Sequence, residues 1–170
     1  MPCNLTSSRE SSCKNGLGGQ STLYLYDSLP DAFTILDGEA TAMNVLLTSA
    51  YAYPLEGDNN TLEQSMVPDR NTGSRVNTQT MTITLKAMDA QTSAEFNILA
   101  SGYPQAVIVD RNGNWHCLGL DDGIDFTVVG STGGAKADLN GYTLTGIGTT
   151  KDLAPLMDSA TIEAFKLVVV

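Results

Sequence analysis

The fold is decided by residues 75–85, whose sequence is Arg75-Val76-Asn77-Thr78-Gln79-Thr80-Met81-Thr82-Ile83-Thr84-Leu85. Successive side chains of a β-strand point to opposite faces of its sheet, so this segment divides into two sets. One face carries Thr78, Thr80, Thr82 and Thr84, and the other carries Met81, Ile83 and Leu85. We therefore expect a strand with one buried face and one solvated face, because threonine favours extended backbone while its hydroxyl tolerates water.

The flanking sequence predicts further short strands and one helix. A helix is expected over residues 89–100, with Asp89 as its N-cap and Gly102 and Pro104 just beyond its end. Asn112-Gly113 is a strong hairpin-turn signal between two of the predicted strands. The strands are predicted at residues 21–26, 33–36, 44–53, 106–110, 115–120, 125–129 and 142–147. This pattern indicates a mainly β domain.

The length of 170 residues fits one domain with attached arms. We expect an N-terminal arm at 1–20, a β domain at 21–150 and a C-terminal arm at 151–170. The polar composition of residues 56–74 predicts a loop, which is long for a compact domain. Contact with a neighbouring subunit would explain its length. The apolar C-terminal end must be covered by the same domain or by another subunit. The candidate inter-subunit contacts are Leu62, Met66, Val67, Phe165, Leu167, Val168 and Val169.

The net charge of −10, with nine basic residues against nineteen acidic ones, opposes tight binding of nucleic acid. The same charge is compatible with DNA moving past without adhering, and solubility alone explains it equally well. No segment has the apolar length of a membrane span, and the first residues do not resemble a signal peptide. We therefore expect synthesis in a cytoplasm and no membrane association.

Catalytic and cofactor motifs are weak throughout. His116 is the only histidine, and the adjacent Cys117 points to the opposite face of a strand, which disfavours a nucleophile and base pair. Residues 110–114 imitate a calcium loop, but Trp115 replaces the required glycine. Residues 130–136 imitate a phosphate-binding loop, but Ala135 replaces its second glycine. We expect no enzyme activity, no metal site and no cofactor.

The order of the segments resembles tail-tube-like structural proteins of tailed bacteriophages, including those of crAss-like phages and relatives that infect Bacteroidetes. The resemblance covers residues 13–156, and the final dozen residues depart from it. The segments that carry it are Leu23-Tyr24-Leu25, Met81-Thr82-Ile83-Thr84-Leu85, the helix at 89–99, Val107-Ile108-Val109-Asp110-Arg111-Asn112-Gly113-Asn114, Leu118-Gly119-Leu120-Asp121-Asp122-Gly123 and Leu139-Asn140-Gly141-Tyr142-Thr143-Leu144-Thr145-Gly146.

The resemblance implies a small antiparallel β-sandwich or barrel with one flanking α-helix. It also implies a structural virion protein whose copies form a ring or tube in the tail or neck, through which DNA passes during ejection. Six-fold rings are expected first, with twelve-fold rings also allowed, and the partners would be other tail or neck proteins. In such a ring Thr78, Thr80, Thr82 and Thr84 are candidate lumen-facing residues, although an outer sheet surface explains their pattern equally well.

Two other functions remain open at this stage. A head decoration or head-completion protein would also be small, acidic and β-rich. A carbohydrate-binding β-sandwich module would need exposed aromatic side chains for stacking on sugars. The aromatic candidates for that role are Tyr51, Tyr53, Tyr103, Trp115 and Tyr142.

Overall fold

The computed structural model describes residues 3–170, which form eleven strands and two helices. In chain order these are β1 (Gln20–Tyr26), β2 (Phe33–Leu36), β3 (Glu39–Met43), β4 (Tyr51–Pro54), β5 (Thr61–Asp69), β6 (Ser74–Lys86), α1 (Ala90–Leu99), β7 (Gln105–Asp110), β8 (Trp115–Leu118), β9 (Asp125–Ser131), β10 (Gly141–Thr150), β11 (Leu156–Met157) and α2 (Ser159–Lys166).

The strands form two sheets. Seven strands pair in the order β2-β3-β11-β8-β7-β1-β4, and four pair in the order β5-β6-β10-β9. All pairs are antiparallel except the short β3–β11 pair. The fold class predicted from the sequence, a mainly β sandwich with a flanking helix, is therefore confirmed.

A first hydrophobic core lies between the two sheets. It joins Leu23 and Ile108 of the larger sheet to Ile83 and Leu144 of the smaller one, all at 0% exposure. Helix α1 covers one side of this core by inserting Phe96 against the rings of Tyr53 and Tyr142. As predicted, Asp89 caps this helix, with its carboxylate accepting the Thr92 N–H at 2.7 Å.

A second core lies on the other face of the seven-stranded sheet, and Phe165 of α2 is at its centre. This ring is 0% exposed and packs within 6.2 Å, between ring centroids, of four aromatic rings. These belong to Tyr24, Tyr26, Phe33 and Trp115. The segment between β3 and β4 contributes to this core as well, because a turn that begins at Asn44 buries Leu47. The strand predicted over 44–53 is therefore wrong for residues 44–47, and β4 begins only at Tyr51.

The C-terminal segment is thus part of the domain fold, and the interpretation of Phe165 as an inter-subunit contact is wrong. Val168 and Val169 pack partly against the same core, and Val169 forms a parallel bridge with Ala50. Of the C-terminal candidates, Leu167 remains exposed, at 88%. The helical spacing of Ile162 and Phe165 turns these apolar side chains inward, which explains how one chain covers most of its own end.

The predicted long loop at 56–74 is largely a strand. Nine of its residues form β5, which pairs along its whole length with β6 from Thr61–Thr82 to Asp69–Ser74. Alternating exposed and half-buried side chains along β5 explain the low apolar content that suggested a loop. The irregular parts are residues 56–60 and the hairpin turn at 70–73.

Replacing Phe165 by alanine should lower the free energy of unfolding by about 3–5 kcal/mol, because it removes a fully buried aromatic ring from the centre of an apolar cluster. Leu167→Ala, two residues further along but exposed, should change it by less than about 0.5 kcal/mol. Urea denaturation monitored by circular dichroism measures both. Equal losses for the two variants would contradict the packing of α2 described here.

Candidate functional site

The outer face of the four-stranded sheet is an array of threonines. The register places side chains of β5, β6, β10 and β9 in rows across this face, and Thr61, Thr82, Thr145 and Thr127 form one complete row. Neighbouring strands lie about 4.8 Å apart, so these hydroxyls are close-spaced across the whole sheet. We call this surface the threonine face, and its nine threonines are Thr61, Thr78, Thr80, Thr82, Thr84, Thr127, Thr143, Thr145 and Thr149.

The predicted division of β6 into two faces is confirmed by burial. Thr78, Thr80, Thr82 and Thr84 are half-buried, whereas Met81 and Ile83 are at most 1% exposed. No part of residues 3–170 packs over the threonine face, because both helices and the larger sheet pack elsewhere. The candidate lumen residues therefore share one open surface with five further threonines that sequence reasoning did not single out.

The central rows of the threonine face carry little charge, and that charge is negative; Lys86, at the end of the face, pairs with Glu56. In the row of Thr80, Glu63 lies on β5 and Asp125 on β9, so the two carboxylates lie at opposite edges of the sheet. Among the described residues in the four rows that contain Thr78, Thr80, Thr82 and Thr84, none is Lys, Arg or His. Ile147 and Val129 interrupt the hydroxyls in the rows of Thr80 and Thr84. The remaining hydroxyls bind water, and these rows offer phosphate no cationic partner.

The inner face of β6 holds a polar clamp that the sequence pattern did not reveal. Gln79 is 2% exposed, and its Oε1 accepts the N–H of Gly119, the residue just after β8 of the larger sheet, at 3.0 Å. Its Nε2 donates to the Thr150 hydroxyl at 3.3 Å. Asn77, 0% exposed, donates to the Asp152 carbonyl at 3.0 Å. These bonds connect β6 to the larger sheet and to residues 150–152. The sequence did contain a signal for them, since Asn77 and Gln79 are polar residues on the same face of β6 as the buried Met81 and Ile83.

The two edges of the smaller sheet are open. β5 and β9 each pair on one side only, over nine and seven residues. The β5–β6 hairpin also extends past the rest of the sheet, because pairing of β6 with β10 ends at Asn77 while pairing with β5 continues to Ser74. At this tip Val67 lies opposite Val76, with exposures of 62% and 45%. Leu62 and Met66 are half-buried on the inner side.

The residues that imitate a calcium loop, 110–114, form a hairpin turn next to His116. The Asp110 carboxylate accepts the N–H groups of Asn112 and Asn114 at 2.8 and 2.9 Å, and His116 Nε2 lies 3.3 Å from it. Burial raises the pKa of Asp110, but these hydrogen bonds outweigh burial and hold the pKa below its usual value. The hairpin interpretation of residues 110–114 is confirmed, since β7 pairs with β8 on either side of them.

His116 and Cys117 point away from each other, as predicted. His116 pairs across from Ile108 of the first core, whereas Cys117 is buried in the second core, where desolvation raises the pKa of its thiol. In the Gly130–Lys136 region, the Asp138 carboxylate occupies the N–H groups of Gly134 and Ala135 at 2.9 and 2.7 Å. The backbone donors that imitated a phosphate loop are therefore used within the turn.

No family model, curated protein or solved structure matches this chain. Within residues 3–170 no group of three or more His, Cys, Asp or Glu side chains is arranged to hold a metal ion. No helix in that range has the length and apolar character needed to cross a bilayer. The threonine face and the two open edges beside it are the features from which a function can be argued.

Replacing Thr80 by valine should leave the free energy of unfolding within about 0.5 kcal/mol of the wild type, because the hydroxyl faces solvent. Gln79→Ala, one residue earlier, should lower the free energy of unfolding by about 1–3 kcal/mol, because the substitution leaves the buried Gly119 N–H without a hydrogen-bond acceptor. Chemical denaturation of both variants tests this contrast. A large loss in Thr80→Val would mean that the fold itself requires the threonine face.

Proposed function

We propose that the protein is a structural, non-enzymatic subunit of a bacteriophage virion, which assembles into a ring or tube in the tail or neck and lets DNA pass during ejection. The observation that carries the proposal is a four-stranded sheet with an uncovered threonine face and an open strand at each edge. The resemblance of the segment order to tail-tube-like proteins agrees with it.

The open edges favour closure with identical copies. Unpaired N–H and C=O groups along β5 and β9 are templates for pairing with another chain, and a closed ring removes every such edge. All neighbours in this sheet are antiparallel. With four strands per sheet, β9 of one copy meets β5 of the next in the antiparallel sense, so the alternation continues around the ring. The contact is heterologous, which generates rings when the rotation closes.

The threonine face has the chemistry expected of a DNA channel. Hydroxyl groups keep a layer of water at the wall, and the scarcity of positive charge avoids the counterion release that drives DNA binding. Glu63 and Asp125 add weak repulsion of phosphate. In this arrangement Thr78, Thr80, Thr82 and Thr84 line the lumen together with the other five threonines of the face.

The β5–β6 hairpin tip is the proposed contact between rings or with another tail or neck protein. It extends beyond the sheet and exposes Val67 and Val76 side by side. A turn that only reversed the chain would not need an apolar pair in solvent. Leu167 and Val170, 88% and 79% exposed, offer a second apolar contact near α2.

The alternative functions have less support. A head decoration protein would not require matched open edges on a single polar sheet. A carbohydrate-binding module would need a platform of aromatic side chains. Of the five aromatic candidates, Tyr51 and Tyr103 are 51% and 64% exposed, while Tyr53, Trp115 and Tyr142 pack against other rings of the chain.

Purified full-length protein should form rings with an open centre, six-fold first and twelve-fold as the permitted alternative. Negative-stain electron microscopy with class averaging gives the symmetry, and sedimentation velocity gives the mass. A single 18.0 kDa species at high concentration would refute the assembly proposal. Closed trimers without a channel would instead support a head decoration role.

A gold cluster attached at Thr82→Cys should appear in the central channel of the rings. The background carries Cys3→Ser and Cys13→Ser, and Cys117 is buried and does not react. The matched control, Leu167→Cys, should place gold on the outer body, because α2 covers the opposite face of the larger sheet. Gold from Thr82→Cys on the outer rim would overturn the lumen assignment while leaving the ring itself intact.

A further inference from the structure

A cleft of about 440 Å³ lies beside α1 and is not used by the proposed threonine channel. Its floor is apolar, with Leu25 and Leu99, and Tyr53 and Tyr103 supply aromatic walls. Tyr103 and Ile98 remain 64% and 68% exposed at its mouth. An open cleft with exposed apolar and aromatic side chains is a surface that a partner would cover.

The cleft is strongly acidic. Four carboxylates line it, from Asp27, Glu95, Asp121 and Asp122, and no lining residue is basic. Asp121 accepts the backbone N–H of Lys151 at 3.1 Å. The other three carboxylates form no ion pair within residues 3–170. Burial raises the pKa of Tyr53, and the nearby Glu95 raises it further, as expected in a negative environment.

The N-terminal arm has the complementary charge and is bound to the body of its own chain through its last residues. Its base is fixed at Leu17, whose N–H donates to the Asn112 side chain and whose carbonyl accepts from it, both at 2.8 Å. From residue 4 to residue 12 the described arm makes no hydrogen bond or ion pair to the body. Residues 3–19 carry Arg9 and Lys14 against Glu10, a net charge of +1, whereas the whole chain carries −10.

The arm and the cleft lie at the two open edges of the threonine sheet. The arm base, at Gly18 and Gly19, shares a surface groove with Thr61, the first residue of β5. The cleft adjoins the other edge, because the Pro104 carbonyl at its rim accepts the N–H of Ile124, the residue before β9. Closure of β5 against β9 of the next copy therefore brings one copy's arm base towards the other copy's acidic cleft.

We infer that the N-terminal arm of one copy docks into the acidic cleft of the neighbouring copy, with Leu5 on the apolar floor and Arg9 among the carboxylates. The inference rests on the proposed ring, since it uses the same pair of edges. Leu5 is 99% exposed in the single chain, so its burial is gained only on assembly. Each copy gives one arm and receives one, which joins all subunits in one direction around the ring.

Disulfide trapping tests the contact directly. Ser8→Cys in the arm and Ile98→Cys at the cleft are combined in a background of Cys3→Ser and Cys13→Ser, with the chain otherwise complete. Mild oxidation should give a ladder of covalent dimers, trimers and higher species up to the ring number on a non-reducing gel. The matched control replaces Ile98→Cys by Leu167→Cys, which is more exposed but lies near α2, and should give at most about one tenth of the cross-linked product.

Two results would overturn the inference. The first is an internal disulfide that leaves only monomer, which would mean that the arm docks into the cleft of its own chain. The lengths allow this result, because nine extended residues from position 17 to position 8 reach roughly 30 Å, whereas β1 spans roughly 20 Å between arm and cleft. The second is a yield no higher than that of the control. Electron microscopy of the same samples, without oxidant, reports separately on ring formation.

Charge exchange supplies a second test. The arm variant Arg9→Glu with Lys14→Glu, and the cleft variant Glu95→Lys with Asp122→Lys, should each assemble at least about tenfold less well than the wild type. An equal mixture should recover assembly, because acidic arms then meet basic clefts and basic arms meet acidic clefts. Variants that assemble like the wild type, or a mixture that does not recover, would contradict the docking.

The outcomes separate this inference from the proposed function. Normal rings from the variant with reversed arm charge, together with the absence of the disulfide ladder, would refute arm docking and leave the ring proposal standing. A ladder from open filaments without rings would support arm docking and refute the ring. A monomeric wild type that shows neither would refute both.

Discussion

The structure depends on one constraint, the two-residue alternation of β6. Burial of Met81 and Ile83 between the sheets fixes which way every other side chain of this strand points, and a shift by one residue would place the threonines in the core. Gln79 strengthens the constraint, because its amide must reach Gly119, which follows β8 of the opposite sheet. The neighbouring strands follow the same register, and the threonine face is its consequence.

The central strands of the larger sheet are buried on both sides, which explains why β7 is so apolar. Between Ala106 and Ile108 of β7 every side chain is at 0% exposure, with alternate residues facing the first and the second core. The smaller sheet is buried on one side only. This asymmetry leaves a single polar sheet face available for a function, while helix α2 and the aromatic rings around Phe165 close the opposite side of the molecule.

The proposed assembly uses features that the single chain leaves unsatisfied. Two strand edges lack partners, an apolar pair at the hairpin tip faces solvent, and an acidic cleft lies far along the sheet from a basic arm. Edge pairing and arm docking act between the same two copies, so their contributions reinforce one another. Edge pairing is short-ranged and directional, whereas the charge of arm and cleft acts over about a Debye length and guides copies into that orientation.

Local sequence patterns were sufficient for the elements whose neighbours in the chain decide their structure. The alternation of residues 75–85, the N-cap at Asp89 and the turn at Asn112-Gly113 each follow from backbone preferences within a few residues. The outward direction of Thr78, Thr80, Thr82 and Thr84 followed from the same alternation. Burial of Met81 and Ile83 confirms that orientation.

Only the tertiary structure decided how distant segments combine. It turned residues 61–69 from an expected loop into β5, because pairing with β6 outweighs their weak apolar pattern. It also folded the expected C-terminal arm into α2, because Phe165 finds four aromatic rings that are scattered between positions 24 and 115. The nine-threonine face needed the pairing of four strands, since residues 61, 82, 127 and 145 are adjacent only in the sheet. Contacts between residues far apart in the chain leave no local periodicity. For that physical reason the sequence alone determined strongly alternating strands such as β6, but not β5 or the surface that the four strands form together.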